Sequence, residues 1–430
     1  MNNINKDKPL LRIGIVSDTQ TYDVFEDWGM SNLAKAFKLL AAKQPEVILM
    51  PGDLADMGNL PGAYTLYNEL CAAFFGSDQP IQIACAGNHD MWATSPDCTR
   101  ESLRQAFCRG LNIPEDNPWH TVIKGFDFIC ITEDLQNDYS DELIAKVEKE
   151  LLAAVERDPE KPVFVISHYP PYDTMSGSHG NSGKKNLREL FDRFKQVVSI
   201  SGHTHYPLED ERSIWQKEFT AFTTSTLSYG CVEERPFNSC NTILPFAREV
   251  VQALYMELYA DRLEIHRYNV EDQRELKPGQ LWRVNLPYSP EEAIYTPERA
   301  LKRTAPFFAA EASLVLRYDY GFVYAIFDAA KHDDMVQFYR IIARRKDADG
   351  NWQLAREALY AADFYRLERN QSERCFFKLP CDMFTAGDVY RVEVYPLESF
   401  GKAGEPLVIE RTIPSFWRFR DTSADIAPQE

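Results

Sequence analysis

The chain has no long hydrophobic run and no excess of basic residues, and these absences exclude several classes of function. No stretch of about 18 consecutive apolar residues occurs, so the sequence predicts no membrane-spanning helix. Residues 1–8 are largely polar and offer neither the apolar core nor the cleavage site of a secretory signal peptide. With 47 basic and 65 acidic residues the formal net charge is −18, which argues against binding of long nucleic acid.

Cysteine occurs without the paired spacing of disulfide frameworks or zinc sites. The 9 cysteines are odd in number and scattered, with no Cys-X-X-Cys pair. This usage is typical of reduced thiols, and together with the polar N-terminus it predicts a cytoplasmic protein. We expect no membrane partner, and the sequence does not determine the oligomeric state.

What the sequence does contain is a repeated pattern of short apolar runs that end in potential metal ligands. The first three runs recur about every 35 residues, the size of one strand–crossover–strand unit. Runs rich in Val and Ile without alternation are typical of parallel strands covered on both faces. We therefore predict an α/β fold in which ligands bind at the carboxyl edge of the strands. The runs are 11–17, followed by Asp18; 47–52, followed by Asp53; and 81–86, followed by Asn88 and His89.

Two later runs complete this pattern. Residues 163–167 lead into His168, and residues 197–202 lead into His203 and His205. Four of the chain's 8 histidines thus follow apolar runs. A single histidine in this position is most often a hydrogen-bonded core residue, but five strand ends with ligand-capable side chains favour a metal centre.

In order and spacing, these segments resemble the five motifs of the calcineurin-like metallophosphoesterases, over about residues 10–270. The motifs are Asp18-Thr19-Gln20, Gly52-Asp53-Leu54-Ala55-Asp56, Gly87-Asn88-His89-Asp90, Ser167-His168 and Gly202-His203-Thr204-His205. The resemblance implies a β-sandwich core flanked by helices, in α/β/β/α layers. It also implies hydrolysis of a phosphomonoester or phosphodiester by a metal-bound hydroxide at a dinuclear centre.

The resemblance further implies the ligands of two divalent or trivalent transition-metal ions. Carboxylate, amide and imidazole together suit Mn, Fe, Zn or Ni better than Ca or Mg. The ligands would be Asp53 as the bridge, Asp18, Gln20 and His205 at one ion, and Asn88, His168 and His203 at the other. Gln20 departs from the family pattern, in which His is commoner. Because an amide oxygen is a weaker ligand for borderline metals, this site would load weakly, favour Mn or Fe, or leave Gln20 uncoordinated.

Three further residues are candidates for catalysis or substrate binding. His89 resembles the family histidine that contacts the phosphoryl oxygens or protonates the leaving group. Asp56 occupies the position that resembles its orienting partner, although a helix N-cap is the alternative interpretation. His179 lies in a loop beside His168 and is either a phosphate contact or a solvated loop residue.

The family does not determine the substrate, which could be a nucleotide, a phospholipid fragment, a sugar phosphate or a phosphoprotein. Loop 91–120, with Trp92, Trp119 and His120, and loop 169–181, with Tyr169 and Tyr172, could shape a pocket near the metals. These aromatic side chains would either stack a base or sugar, or pack around the metal centre. The competing hypothesis is a catalytically impaired metal-binding or partner-binding protein, in which Gln20 marks a decayed site and a C-terminal β-sandwich holds a partner or glycan.

Composition also predicts the domain organisation. Residues 270–305 are charged and contain prolines, which favours a linker, and short strands separated by polar turns follow it. Residues 390–395, followed by 399–402, are similar to the last hairpin of fibronectin type III modules. His266 falls on a predicted hairpin and is interpreted as a packing residue. The predicted boundaries are 9–270 for the metallophosphoesterase domain, 271–305 for the linker, 306–416 for the β-sandwich and 417–430 for a tail.

Overall fold

The computed structural model describes residues 7–21, 28–58, 60–93, 95–233, 242–319, 322–379 and 383–414. They fall into two compact units, the first extending to Arg299 and the second beginning at Ala300. Within these described ranges, no helix is both long and apolar enough to cross a membrane.

The first unit alternates strands and helices over most of its length. Its helices are α1 (Trp28–Ala41), α2 (Pro61–Phe75), α3 (Arg100–Leu111), α4 (Asp141–Arg157) and α5 (Lys185–Phe191). Its strands are β1 (Leu11–Ile15), β2 (Val47–Pro51), β3 (Ile81–Cys85), β4 (Trp119–Ile123), β5 (Phe126–Ile131), β6 (Val163–Ser167), β7 (Val197–Ser201), β8 (Ile214–Gln216), β9 (Thr220–Thr223), β10 (Cys231–Val232), β11 (Thr242–Ile243), β12 (Gln252–Leu258), β13 (Arg262–Asn269), β14 (Arg274–Glu275) and β15 (Trp282–Asn285). Side chains cap helix starts, as where Ser140 accepts from the Leu143 amide (3.2 Å) ahead of α4.

Two mixed sheets form the centre of this unit. The first has the order β14-β13-β12-β1-β2-β3, with β15 also paired to β13, and β1, β2 and β3 run parallel. The second has the order β4-β5-β6-β7-β9-β8, in which β5, β6, β7 and β9 run parallel. The predicted largely parallel arrangement is therefore confirmed for the strands that precede the candidate ligands.

Each sheet is apolar on both faces, which explains the lack of alternation in the sequence. In β2, Val47 and Leu49 pack into the core between the two sheets, whereas Ile48 and Met50 pack against α1 and α2. A third core covers the outer face of the second sheet with α4 and α5. The layers are thus helix, sheet, sheet and helix, as the fold prediction requires.

The stretch predicted as a linker contributes to the first sheet. Strands β14 and β15 both pair with β13, and the Trp282 side chain of β15 is 0% exposed in the core between the sheets. The prediction of a linker is therefore wrong for most of residues 271–299. Short strands rich in charge, such as Arg274–Glu275, carry no apolar pattern that would have revealed them.

The second unit is built from antiparallel strands. They are β16 (Leu314–Asp319), β17 (Phe322–Asp328), β18 (Phe338–Lys346), β19 (Trp352–Ala361), β20 (Arg374–Leu379), β21 (Val389–Leu397) and β22 (Leu407–Thr412). They form one sheet of order β16-β17-β20 and one of order β19-β18-β21-β22, which share a single apolar core. These sheets are consistent with the predicted sandwich, and the likeness to fibronectin type III stays a prediction. The predicted tail lies outside the described residues.

Candidate metal centre

The candidate ligands meet where strands of both sheets end. Asp18 and Asp53 follow β1 and β2 of the first sheet, and His168 follows β6 of the second. All three are buried, and each offers a ligand atom within 4.8 Å of the others. The carboxyl ends of parallel strands thus bring together side chains that are far apart in sequence.

The turns that carry these side chains have unusual backbone conformations. Five of the seven candidate ligands have a positive φ: Asp18 (54°), Gln20 (44°), Asp53 (56°), His203 (68°) and His205 (55°). A residue other than glycine in this left-handed region is uncommon and costs on the order of 1 kcal/mol or more. Such strain clusters where function constrains the chain, so its coincidence with the candidate ligands supports a functional site.

Asp53, Asn88, His168 and His203 form one half of the centre. The His168 Nε2 atom lies 3.2 Å from Asp53 Oδ2 and 3.0 Å from Asn88 Oδ1. The His203 Nδ1 atom lies 3.1 Å from Asn88 Oδ1 and 3.3 Å from His168 Nε2. The other ring nitrogen of His168 donates to the Pro51 carbonyl (2.8 Å), which leaves Nε2 as the ligand atom.

The other half contains Asp18 and His205. The His205 Nε2 atom lies 3.1 Å from Asp18 Oδ1, while its Nδ1 donates to the Tyr229 carbonyl at 2.8 Å. Asp18 Oδ2 is buried and has no hydrogen-bond partner among the described residues. The side-chain oxygen of Gln20 accepts from Ser228 Oγ (3.0 Å), so it is turned toward that hydroxyl.

The pKa shifts of the buried Asp53 and His168 are those expected at a site that binds a cation. Burial alone would raise the pKa of Asp53, but neighbouring imidazoles, above all His168, hold it well below its usual range. Burial would lower the pKa of His168, but the Asp53 carboxylate raises it to about 10. Burial and the charge of His168 lower the pKa of His203. A cation bound at Asp53 would take the place of the His168 proton.

His89 and Asp56 lie in contact beside the ligands. The His89 Nδ1 atom is 3.0 Å from Asp56 Oδ1 and 3.2 Å from the Asp56 carbonyl oxygen. The backbone amide of His89 donates to Asp53 Oδ1 (2.9 Å). Helix α2 begins at Pro61 after the N-cap Leu60, so Asp56 does not cap it. The geometry favours Asp56 as the partner that orients His89.

Asp90 joins two of the ligand loops. Its carboxylate accepts from the amides of Ala55 (2.9 Å), Gly87 (3.0 Å) and Leu54 (3.3 Å). Burial and the nearby Asp53 raise the pKa of Asp90 to about 7. The sequence indicates only a loop cap here, whereas the contacts show that Asp90 ties the turn after β2 to the turn after β3.

The ligands open into a surface cleft of about 410 Å³. Asn181, at the end of the predicted loop 169–181, lines it. The lining also includes residues that the sequence did not single out, among them Asn137, Ser182, Tyr229, Cys231 and Ile243. Trp92 and Tyr169 also line it, as the loop prediction expected. A larger cavity, about 720 Å³, is lined mainly by α3, α4 and neighbouring acidic residues and contains none of the candidate ligands.

The cleft is not lined by His179, Trp119 or His120. His179 Nδ1 lies 3.3 Å from Asp173 Oδ1 and its Nε2 lies 3.7 Å from Glu233 Oε1, and it is not among the described residues that line the cleft. The structure therefore gives no support to the prediction that His179 contacts phosphate. Trp119 packs in the core between the sheets, and His120 pairs with Asp127 (2.7 Å), so neither shapes the pocket.

A second group of potential ligands lies on the hairpin of β12 and β13. Glu257, Glu264 and His266 bring their polar atoms close together there. These side chains already pair with neighbours, His266 with Glu275 (2.6 Å) and Glu264 with Arg262 (2.6 Å). These contacts explain the cluster without a bound ion, which agrees with the interpretation of His266 as a packing residue.

The family comparison agrees with this geometry. Residues 11–207 match the model of the calcineurin-like phosphoesterase family. This match lies within the first unit and supports a metal-dependent hydrolase of phosphate esters. Members of this class bind divalent or trivalent metal ions in a dinuclear site, and the buried Asp and His side chains fit such a site.

Solved structures give a weaker likeness, and no curated protein matches the sequence. A dimetal phosphatase from Danio rerio is 12% identical, with a TM-score of 0.44, over 66% of this chain and 100% of that one. A purple acid phosphatase from yellow lupin is 13% identical, with a TM-score of 0.43, over 63% of this chain and 54% of that one. At such TM-scores neither likeness carries an argument about function.

Proposed function

We propose that the protein is a phosphoesterase that hydrolyses a small phosphomonoester or phosphodiester at a centre of two metal ions. The observation that carries the proposal is the convergence of buried Asp18, Asp53 and His168 from two different sheets, with ligand atoms within 4.8 Å. A purely structural cluster would not need two carboxylates on strained backbone beside an imidazole. The family match over this region supports the same conclusion.

The donor set fits the two ions that the family implies. The buried Asp18 Oδ2 atom, which no described residue satisfies, is the atom expected of a ligand. Asp53 would bridge the two ions, with Asp18 and His205 at one and Asn88, His168 and His203 at the other. The oxygen of Gln20 would have to leave Ser228 in order to join the first group. When bound, such ions lower the pKa of water and neutralise charge on the phosphoryl group.

The chain's own residues orient the imidazoles of His168 and His205 for metal binding. Two of the three ligand histidines donate their second ring N–H to a backbone carbonyl, His168 to Pro51 and His205 to Tyr229. These hydrogen bonds select the tautomer in which Nε2 carries a lone pair and fix the ring orientation. The His89 amide restrains the Asp53 carboxylate in the same way.

His89 is the group that we assign to the leaving oxygen. As the oxygen of water forms its bond to phosphorus and the ester P–O bond breaks, the departing oxygen takes a proton from His89. Asp56 holds the Nδ1 atom of this ring at 3.0 Å, so Nε2 is the nitrogen available to the substrate. Solvent then restores the proton, and the products are the alcohol and either phosphate, from a monoester, or a phosphomonoester, from a diester.

The test measures metal content and turnover on the same preparation. The purified protein, reconstituted separately with Mn, Fe and Zn, should hold close to two ions per chain and cleave nitrophenyl phosphate or bis-nitrophenyl phosphate. A chelator should abolish both properties, and Asp53→Asn should lose them together. Asp158→Asn, which changes a partly exposed carboxylate at the end of α4, is the matched control and should change neither.

Two outcomes would contradict the proposal. Failure to bind any of the three metals would exclude a metal centre of this kind. Metal binding without turnover on a broad panel of phosphate esters would instead favour the catalytically impaired binding protein.

A further inference from the structure

An exposed tryptophan lies directly beside the proposed catalytic imidazole. The rings of Trp92 and His89 have centroids 4.2 Å apart and an interplanar angle of 42°. The Trp92 backbone is held at both ends, because its amide donates to the His89 carbonyl (3.1 Å) and its carbonyl accepts from Gly58 (2.8 Å). Even so, Trp92 is 39% exposed and lines the cleft. A rigid aromatic face at this place is suited to stacking on a planar group of a substrate.

A neutral hydrogen-bonding group is also held at the cleft. Asn137 lies in the loop between β5 and α4, and its Oδ1 atom accepts from the hydroxyl of Tyr169 (3.1 Å). Tyr169 itself is buried, with its ring 4.4 Å from that of His203 and the Lys184 ammonium 4.1 Å from its centroid. Because the oxygen of Asn137 is engaged in this way, its amide N–H groups are left as donors to a bound molecule.

The charge of the cleft limits how many phosphates a substrate can carry. None of the described residues that line it is a lysine or arginine, and its neutral polar groups are amides and hydroxyls such as Asn181 and Ser182. The nearby Lys184 is buried and donates to the Asn181 carbonyl (2.7 Å). Among the described residues of the lining, a second or third phosphate would therefore find no cationic side chain to pair with.

We infer that the substrate is a nucleotide with a single phosphate, whose base stacks on Trp92 and receives a hydrogen bond from Asn137. A nucleoside combines a planar ring with polar edges, which matches an aromatic face next to neutral amides better than an aliphatic or sugar leaving group does. A cleft of about 410 Å³ is within the usual range for a ligand of this size. The inference rests on the proposed phosphoesterase function and adds the class of leaving group.

The test compares substrates that differ in the presence of the base or in the number and linkage of their phosphates. Values of kcat/KM are measured on the metal-loaded protein for a nucleoside monophosphate, its cyclic form, the triphosphate and ribose 5-phosphate. Ribose 5-phosphate offers the same kind of alcohol without the base. The better of the two single-phosphate nucleotides should exceed ribose 5-phosphate by roughly tenfold or more, as expected for one stacked base, and should also exceed the triphosphate.

Variants test whether the side chains of Trp92 and Asn137 produce this preference. Trp92→Ala should reduce the ratio of nucleotide to ribose 5-phosphate by roughly tenfold, and Trp92→Phe by less, because stacking is partly kept. Trp28→Ala, which removes a comparably exposed tryptophan (41%) outside the cleft lining, should leave the ratio unchanged. Asn137→Ala should alter the order of preference among bases, and Tyr169→Phe should do so in part, since it removes only the bond that orients Asn137.

The outcomes separate this inference from the function on which it rests. Turnover of ribose 5-phosphate and nucleotide at equal kcat/KM, or a ratio that Trp92→Ala does not move, would overturn the inference and leave the phosphoesterase standing. A preference for the triphosphate would overturn the limit to one phosphate. If no ester is turned over, nucleoside monophosphate binding is measured by calorimetry. Binding that Trp92→Ala weakens would support the stacking site, and absence of binding would overturn it.

Discussion

Three of the candidate ligands are held by hydrogen bonds to the backbone that do not involve a metal ion. His168 and His205 use a ring nitrogen on a backbone carbonyl, and Asp53 accepts the His89 amide. The positive φ at Asp18 and Asp53 costs free energy that a chain without a functional constraint would avoid. Side-chain position is therefore determined before any ion binds, which is the preorganisation that tight binding requires.

Substitution of His89 should lower turnover without removing the metals, whereas substitution of a metal ligand should lower both. We expect His89→Asn to keep both metals while kcat falls by roughly 10²–10⁴, the usual contribution of a general acid. Asp56→Asn should keep the metals and lower kcat by less, because it weakens only the restraint on Nδ1. Metal analysis and steady-state rates on the same samples make the comparison. Loss of metal in His89→Asn would show that the ring is a ligand instead.

Gln20 is the position where the chain departs from the calcineurin-like pattern that it resembles, and a substitution tests what the departure does. Gln20→His replaces the amide with an imidazole, a better ligand for borderline metals. Since the Gln20 oxygen is turned to Ser228, we expect the variant to bind the second Zn²⁺ more tightly in a calorimetric titration. Gln20→Ala is the control, and unchanged affinity in it would show that Gln20 does not coordinate. Weaker binding in Gln20→His than in the natural protein would contradict this prediction.

At the scale of single residues, sequence reasoning succeeded where a motif carried local information. Asp18, Asp53 and His168 follow apolar strands, and the fold brings them together. Asn137 had no such signal, because it reaches the cleft only through the path of the loop between β5 and α4. The structure gives the His179 prediction no support, because proximity to His168 in sequence does not determine where a loop side chain points.

At the scale of elements, the turns at the strand ends depend on glycine for close approach. A Cβ atom on Gly87 would lie 2.1 Å from Asp53 Oδ1 and 2.6 Å from the Asp53 amide nitrogen. One on Gly202 would lie 2.5 Å from Asp18 Oδ2. These distances are much shorter than van der Waals contact. The two turns can therefore pack around the carboxylates only because Gly87 and Gly202 have no side chain.

Gly87→Ala should therefore damage the metal centre more than it damages the fold. The added methyl group must push the Asp53 carboxylate away, so we expect reduced metal content and a large loss of kcat. Gly14→Ala, in the middle of β1, is the control, because its Cβ would meet only the flexible ends of Ile48 and Leu40. That variant should lose stability by about 1–3 kcal/mol of overpacking while keeping its metals. Equal metal content in the two alanine variants would refute the role given to Gly87.

The elements that could be predicted from sequence are those with strong apolar patterning. The runs at β1, β2, β3, β6 and β7 read as buried strands because both of their faces pack into cores. Strand β15 was missed because the prolines and charges around it resemble a linker, whereas its Trp282 and Val284 side chains are buried where it pairs with β13. Burial of that side chain is a tertiary effect, which local composition does not show.

At the scale of the whole molecule, each unit has its own hydrophobic core. The cores on either side of the first two sheets use residues up to Tyr295, whereas the core of the second unit begins beyond residue 307. All the candidate ligands lie in the first unit. A division of the chain near residue 300 therefore separates two bodies that could each bury enough apolar surface to fold.

Truncation tests this division and the position of the boundary together. A chain ending at Lys302 keeps Arg299, whose guanidinium donates to the carbonyls of Glu211 (2.6 Å) and Ile214 (2.7 Å). We expect it to fold, bind metal and keep the kcat of the full chain on nitrophenyl phosphate. A chain ending at residue 270 lacks Trp282 and Val284, which are both fully buried.

Loss of one buried tryptophan alone costs about 3–5 kcal/mol, a large part of the 5–15 kcal/mol that stabilises a typical domain. The shorter chain should therefore unfold at a much lower denaturant concentration than the chain ending at Lys302, or not fold at all. Denaturant titrations, metal content and kcat on the three proteins decide between the alternatives. Equal stability of the two truncated chains would show that residues 271–299 are dispensable, as a linker would be. If the chain ending at Lys302 folds and binds metal but loses turnover on nucleotides alone, the second unit takes part in substrate binding.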